Sequence, residues 1–127
     1  MILVDTNVLI DFWKAPLQMA KSVFEQAEIA ICGVIKTEVL RGSRSVEEFN
    51  RLEKALNCFE YLDFNEKDWI CLAEDLIRMK NSGISVPMQD GMIAYLAIKH
   101  NCRLWSNDKH FLLIKAVLPE LSLFVLE

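Results

Sequence analysis

Short apolar runs, each too brief for a helix, recur between longer stretches of helical periodicity, and that alternation restricts the fold more than any other feature of the chain. MILV reads as a buried strand, and IAIC, CFEYL, CRLW and the terminal SLFVL as further short strands. Strands alternating with helices need crossover connections, which lay helices on both faces of a mainly parallel sheet. The expectation is an α/β, three-layer domain.

Between these runs the helix signals are explicit. TNVLIDFWK follows the first strand, with Thr6 or Asn7 as its N-cap, and PLQMAKSVFEQAE makes a second helix with Pro16 in its first turn. A helix from Val34 to Arg41 is stopped by Gly42 and carries Glu38. Ser45 and Glu48 have capping-box spacing ahead of Phe49, Leu52 and Leu56. Asn65 caps a long helix with an apolar stripe of Trp69, Leu72, Ala73, Leu76 and Ile77, ending near Gly83. The loop ISVPMQ leads to Asp90 at the opening of DGMIAYLAIKH, which Asn101 ends, and a short helical turn follows Asp108. There is no internal repeat, linker or low-complexity segment.

At 127 residues the chain is expected to form one domain spanning 1–127. No apolar run approaches the roughly 20 residues that cross a bilayer, and the apolar start lacks a basic region while carrying Asp5 and Asp11. A cytoplasmic protein without membrane contact is the expectation. Cys32, Cys58, Cys71 and Cys102 show neither CxxC nor Cys/His ligand spacing and read as buried, reduced small hydrophobes.

The chemistry lies in the acids. Asp5 ends the first apolar run, Asp108 follows CRLWS, Asp90 opens a helix, and Glu38 rides on another. In an open α/β sheet the ligand crevice lies outside the carboxyl ends of the strands, so loop acids distant in sequence become neighbours there. Converging carboxylates repel one another and raise one another's pKa values, which implies a hard cation with oxygen ligands, Mg2+ or Mn2+. Singly, Asp5 and Asp108 also suit helix caps, Asp90 a helix dipole, and Glu38 a solvated face. A net charge of −4 does not exclude a nucleic-acid partner: without those four acids 14 remain, matching the 14 Lys and Arg.

VDTNVLID, TEVLRG, DGMIAYLA and LWSNDKHF, in this order, resemble the PIN-domain nucleases, especially the compact toxins of bacterial virulence-associated type II toxin–antitoxin pairs. The resemblance covers essentially the whole chain. It implies a PIN-like fold and a metal-dependent endoribonuclease in which Asp5, Glu38, Asp90 and Asp108 bind Mg2+ or Mn2+, directly or through water. Thr6, Asn7 and Ser106 match the polar positions flanking the first and last acids, Ser106 standing where the family often has Thr; Asn107, His110 and Phe111 match the variable end of the last motif. The resemblance further implies an RNA substrate, a homodimer, and a small antitoxin whose C-terminal segment lies in an apolar groove near the site. The competing class is a non-catalytic RNA-binding or scaffold PIN domain, against which the complete acid set argues.

Other readings are weaker. A haloacid-dehalogenase phosphatase needs an acid where Asn7 stands, and a phosphoacceptor receiver needs an adjacent acidic pair after the first strand. His100 and His110 invite metal-independent acid–base cleavage of RNA, although His100 also suits a helix C-terminus. Arg41, Arg44 and Lys109 lie close to proposed ligands and are candidates for phosphate contact. Met88, Met92, Trp13, Trp69 and Trp105 read as core or interface material.

Overall fold

The computed structural model describes residues 1–126, leaving Glu127 of the expected 1–127 domain outside the described residues. Strands β1 (Ile2–Val4), β2 (Ile29–Cys32), β3 (Glu60–Leu62), β4 (Arg103–Trp105) and β5 (Ser122–Leu123) form one sheet in the order β3-β2-β1-β4-β5. Every pairing is parallel; Leu3 faces Ala30 of β2 on one side and Leu104 of β4 on the other. The central strand β1 is wholly buried, as a strand flanked by helices on both faces must be.

Seven helices among the described residues supply the crossovers: α1 (Thr6–Lys14), α2 (Gln18–Gln26), α3 (Gly33–Arg41), α4 (Val46–Leu56), α5 (Glu66–Asn81), α6 (Met88–Lys99) and α7 (His110–Val117). No helix among the described residues is long and apolar enough to cross a membrane. Asn101, with φ of 53°, turns the chain from α6 into β4, and Gly83, with φ of 80°, does the same after α5.

Several local expectations need correction. The N-cap of α1 is Asp5 rather than Thr6 or Asn7: its carboxylate accepts from the Thr6 amide, so the helix starts directly on the strand's last acid. Helix α2 begins after Pro16, with Leu17 as its N-cap, and ends before Ala27. The Ser45 hydroxyl accepts from the Glu48 amide, but the Glu48 carboxylate accepts from Arg44 rather than Ser45, so the capping box is half formed. The reciprocal box occurs instead at α5, between Asn65 and Asp68. The expected stripe on α5 is only partly inward. Leu72 is buried and Leu76 half-buried, whereas Ala73 and Ile77, each one residue and about 100° further round the helix, face water. Trp69 is 45 % exposed and stacks on Phe64, ring centroids 4.5 Å apart. Of the cysteines only Cys32 and Cys102 are buried; Cys58 and Cys71 are exposed and all four are free. Trp105 is core, while Met88 is exposed. The turn after Asp108 extends into the eight-residue α7, and β5 is only two residues long.

Asp68 locks α5 to α6. Its carboxylate accepts from the Asn65 amide, the Lys99 ammonium at 2.6 Å and the Tyr95 hydroxyl at 2.7 Å. These bonds, the backbone one foremost, hold its pKa at about 2 against an ordinary 3.8.

Candidate metal centre

The strand order reverses between β1 and β4: from β1 the chain crosses to β2 and β3 on one side, and β4 and β5 lie on the other. Such a switch point opens a crevice at the carboxyl ends of the strands. Asp5 follows β1 and Ser106 to Asp108 follow β4, so both loops enter that crevice. Helix α6 precedes the parallel strand β4 and runs back across the sheet, which brings its first turn, with Asp90, to the same edge. Helices α1, α3 and α7 start at this edge because each follows the end of a strand.

Hydrogen bonds hold the loops together. The Asp5 amide donates to the Trp105 carbonyl at 2.9 Å, extending the β1–β4 ladder into the site. The Ser106 hydroxyl donates to Asp5 Oδ2 at 2.6 Å and accepts from the Asp108 amide at 3.0 Å, so one small side chain fixes both acids. Thr6 Oγ1 donates to Glu38 Oε1 at 3.0 Å, tying α3 to the start of α1. Asp108 Oδ1 accepts from the His110 amide, the first of α7, at 2.9 Å, one residue ahead of the N-cap Lys109. The capping and site readings of Asp5 and Asp108 are therefore not alternatives; one oxygen of each meets a helix start while the residue stays at the crevice.

Carboxylate oxygens of Asp90 and Asp108 and an imidazole nitrogen of His110 all lie within 4.8 Å of one another. His110 Nδ1 is 2.8 Å from Asp90 Oδ2 and 3.5 Å from Asp108 Oδ1. Asp90 is buried, and its pKa is raised, first by desolvation and further by the charges of Asp108 and Asp5, against the lowering contact with His110. The His110 pKa is raised, chiefly by its hydrogen bond to Asp90 and then by the Asp108 charge. Burial raises the pKa of the Cys32 thiol, and the charges of Asp5 and Glu38 add to that effect, so both acids lie near the end of β2.

The sequence candidates therefore separate. Asp90 and Asp108 form the tightest group, Asp5 joins through Ser106, and Glu38 is held by Thr6, the residue after Asp5. Asn7 is exposed in the first turn of α1. Arg41 lines a cavity with Glu38, Arg44 lies in a separate shallow pocket before α4, and Lys109 is exposed at the start of α7. His110, which from sequence only matches the variable end of the last motif or pairs with His100, touches two of the acids; its position two residues after Asp108, at a helix start, was the available signal. His100 caps the other end of α6, about ten residues or 15 Å from Asp90, so the two histidines do not form an acid–base pair.

An all-parallel α/β domain with acids gathered at its switch point belongs to the class that presents an oxygen-rich donor set to a hard cation. The sequence pattern of the PIN domain matches residues 2–117, and the chain belongs to that family. It is 32 % identical over 111 residues to ribonuclease VapC1 of Methanocaldococcus jannaschii, covering 87 % of this chain and 78 % of that protein. VapBC-1 of nontypeable Haemophilus influenzae superposes with a TM-score of 0.81 at 20 % identity, covering 98 % of this chain and 97 % of that one. A chain of a toxin–antitoxin complex from Klebsiella pneumoniae gives 0.69 at 23 % identity, covering 95 % of each.

Proposed function

We propose that this PIN domain is a metal-dependent endoribonuclease acting as the toxin of a type II toxin–antitoxin pair. The observation that carries the reading is the convergence of Asp5, Asp90 and Asp108 at the switch point, with Glu38 tied in through Thr6. The similarity to the M. jannaschii ribonuclease and to a chain of the Klebsiella pneumoniae toxin–antitoxin complex supports its activity and partner class.

The donor set fits Mg2+ or Mn2+, being carboxylate-rich with one imidazole that suits Mn2+ better than Mg2+. Asp90 and Asp108 would hold the ion with Asp5, and Glu38 would reach it directly or through water. When bound, the ion supplies Lewis-acid activation of water and neutralises charge developing on the scissile phosphate. The chain's own groups prepare that chemistry. Ser106 fixes the direction of the Asp5 carboxylate, Thr6 fixes Glu38, and the N-termini of α1 and α7 turn their positive ends toward the anionic substrate. Attack by water in line with the leaving 3′ oxygen breaks the P–O3′ bond, leaving a 5′-phosphate and a 3′-hydroxyl.

The partner reading has a physical seat. A groove of about 420 Å³ lined by Val8, Phe12, Leu17, Trp105 and Phe124 reaches Ser106, so an apolar antitoxin segment lying in it would end beside the carboxylates. By the same family resemblance the toxin would be a homodimer acting in the cytoplasm.

Expression in growing cells tests this reading. The wild type arrests growth, Asp90→Asn is harmless at equal abundance, and co-expression of the small protein encoded beside the gene restores growth and co-purifies with it. Harmless overproduction of folded wild type contradicts the toxin reading and favours a non-catalytic binding or scaffold PIN domain.

A further inference from the structure

Beside the carboxylates, α3 and α6 enclose two depressions that share a wall. The first, about 340 Å³, is lined by Glu38, Thr37 and Arg41 from α3 and by Gln89 and Met92 from α6. The second, about 170 Å³, is lined by Tyr61, Asp63, Phe64, Trp69 and Met92, so its rim carries a carboxylate as well as aromatic rings. Gly33, Val34 and Met92 border both, so the two form one track leading away from Glu38. Along α3, Gly33, Thr37 and Arg41 recur every four residues, placing the glycine and two polar side chains on one helix face.

The chemistry changes along the track in a way that suits one kind of polymer. Next to Glu38 stand a guanidinium and a carboxamide over an apolar floor, followed by aromatic rings left half in water. Tyr61 is 48 % exposed, with the Lys36 ammonium 5.6 Å from its ring centroid. Trp69 shows one face to Phe64 and remains 45 % exposed. Unpaired nucleotides need a cation for each phosphate, a donor–acceptor group for the base edge and a flat apolar surface for the base face. A buried protein helix would call for a continuous apolar surface, which Arg41, Gln89 and Glu38 interrupt. Space beside Gly33 is already tight: a Cβ there would stand 3.0 Å from the Tyr61 hydroxyl.

We propose that this track seats the single-stranded RNA adjoining the scissile phosphate: Arg41 holds the neighbouring phosphate, Gln89 contacts a base edge over Met92, and Tyr61 and Trp69 stack the next base. The proposal rests on the ribonuclease reading, and its consequence is that this face favours unpaired over duplex RNA.

The test measures binding and cleavage separately. Fluorescence anisotropy of a labelled 12-nucleotide single strand is recorded for Asp108→Asn in Mn2+, alone and combined with Gln89→Ala, Trp69→Ala or Trp69→Phe; cleavage by the same substitutions in otherwise wild-type protein is followed in parallel. Removing one base–aromatic stack weakens single-strand binding about tenfold. Trp69→Phe restores most of that loss, KM rises more than kcat falls, and a duplex of equal length binds at least about tenfold more weakly. Gln89, exposed in the first turn of α6, carries the test if Trp69→Ala does not fold. Unchanged RNA affinity in both Gln89→Ala and Trp69→Ala overturns the track while leaving the nuclease intact. So does loss of a dimer with Trp69→Ala at constant RNA affinity, which would make this face a protein interface. Wild type that neither binds nor cleaves RNA in Mn2+ overturns the ribonuclease reading and this proposal with it.

Discussion

Gly91 lies directly after Asp90, and its missing side chain lets α6 approach α5. A Cβ at that position would stand 2.8 Å from Leu76 Cδ2 and 3.5 Å from Leu72 Cδ1. Comfortable carbon–carbon contact begins at about 3.5 Å, so Leu76 would have to withdraw by roughly 0.7 Å. Gly91→Ala gains about 1 kcal/mol of helix propensity. Overpacking costs about 1–3 kcal/mol, and because the obstructing atom is the end methyl of a half-buried side chain the cost falls at the lower end. The two effects nearly cancel in the wild type, leaving a change within about 0.5 kcal/mol. In a Leu76→Ala background the obstruction is gone, and the same substitution should stabilise by about 1 kcal/mol, or about 3–5 °C in a domain of this size. Urea unfolding of the four proteins, with m constant, measures the coupling. Equal stabilisation by Gly91→Ala in both backgrounds would refute the close approach of the two helices and with it this account of how Asp90 is placed.

Asp90→Asn should melt in EDTA at or above the wild-type temperature, since burial and the charges of Asp108 and Asp5 disfavour its ionised form, and should lose most of the Mn2+ response. That response in wild type amounts to about 2.7 kcal/mol at one hundred times Kd; strong destabilisation in EDTA with a full Mn2+ response would show Asp90 to be structural. His110→Ala should reduce RNA cleavage less than Asp90→Asn, because it removes one contact of a larger carboxylate group; the reverse order in cleavage assays would assign the imidazole the main role. Asp68 has a folded pKa of about 2, below its ordinary 3.8, so it binds protons more weakly when folded; its contribution is present above about pH 4 and is lost as pH falls toward 2. The melting difference between wild type and Asp68→Asn should therefore be constant from pH 5 to 7 and shrink below about 4, and a difference independent of pH would contradict the network.

Strand positions were legible in the sequence because parallel strands buried on both faces read as short apolar runs: IAIC coincides with the wholly buried β2, and CRLW contains β4, where only Arg103 is exposed. A mainly parallel arrangement followed from the helices between them, and the sheet is parallel at every pairing. The α5 stripe was misjudged because periodicity reports only which residues share a face, and Trp69 and Ile77 are apolar where the sheet and α6 do not reach. The start of α1 was misplaced for a related reason: Asp5, Thr6 and Asn7 are all good caps, and only the strand geometry decides which one accepts the first amide. For the site, the acids stood out by their places at strand ends and helix starts, but His110 did not, since the contact with Asp90 spans 20 positions and depends on how α7 leaves the crevice.

Cleavage of a defined single-stranded RNA by the purified protein, with product ends determined in Mg2+, in Mn2+ and in EDTA, tests the central claim most directly. The four-acid metal centre predicts 5′-phosphate and 3′-hydroxyl ends in either metal, no cleavage in EDTA, and none by Asp90→Asn or Asp108→Asn under any of the three conditions. Equal cleavage in EDTA with 2′,3′-cyclic phosphate ends would contradict it.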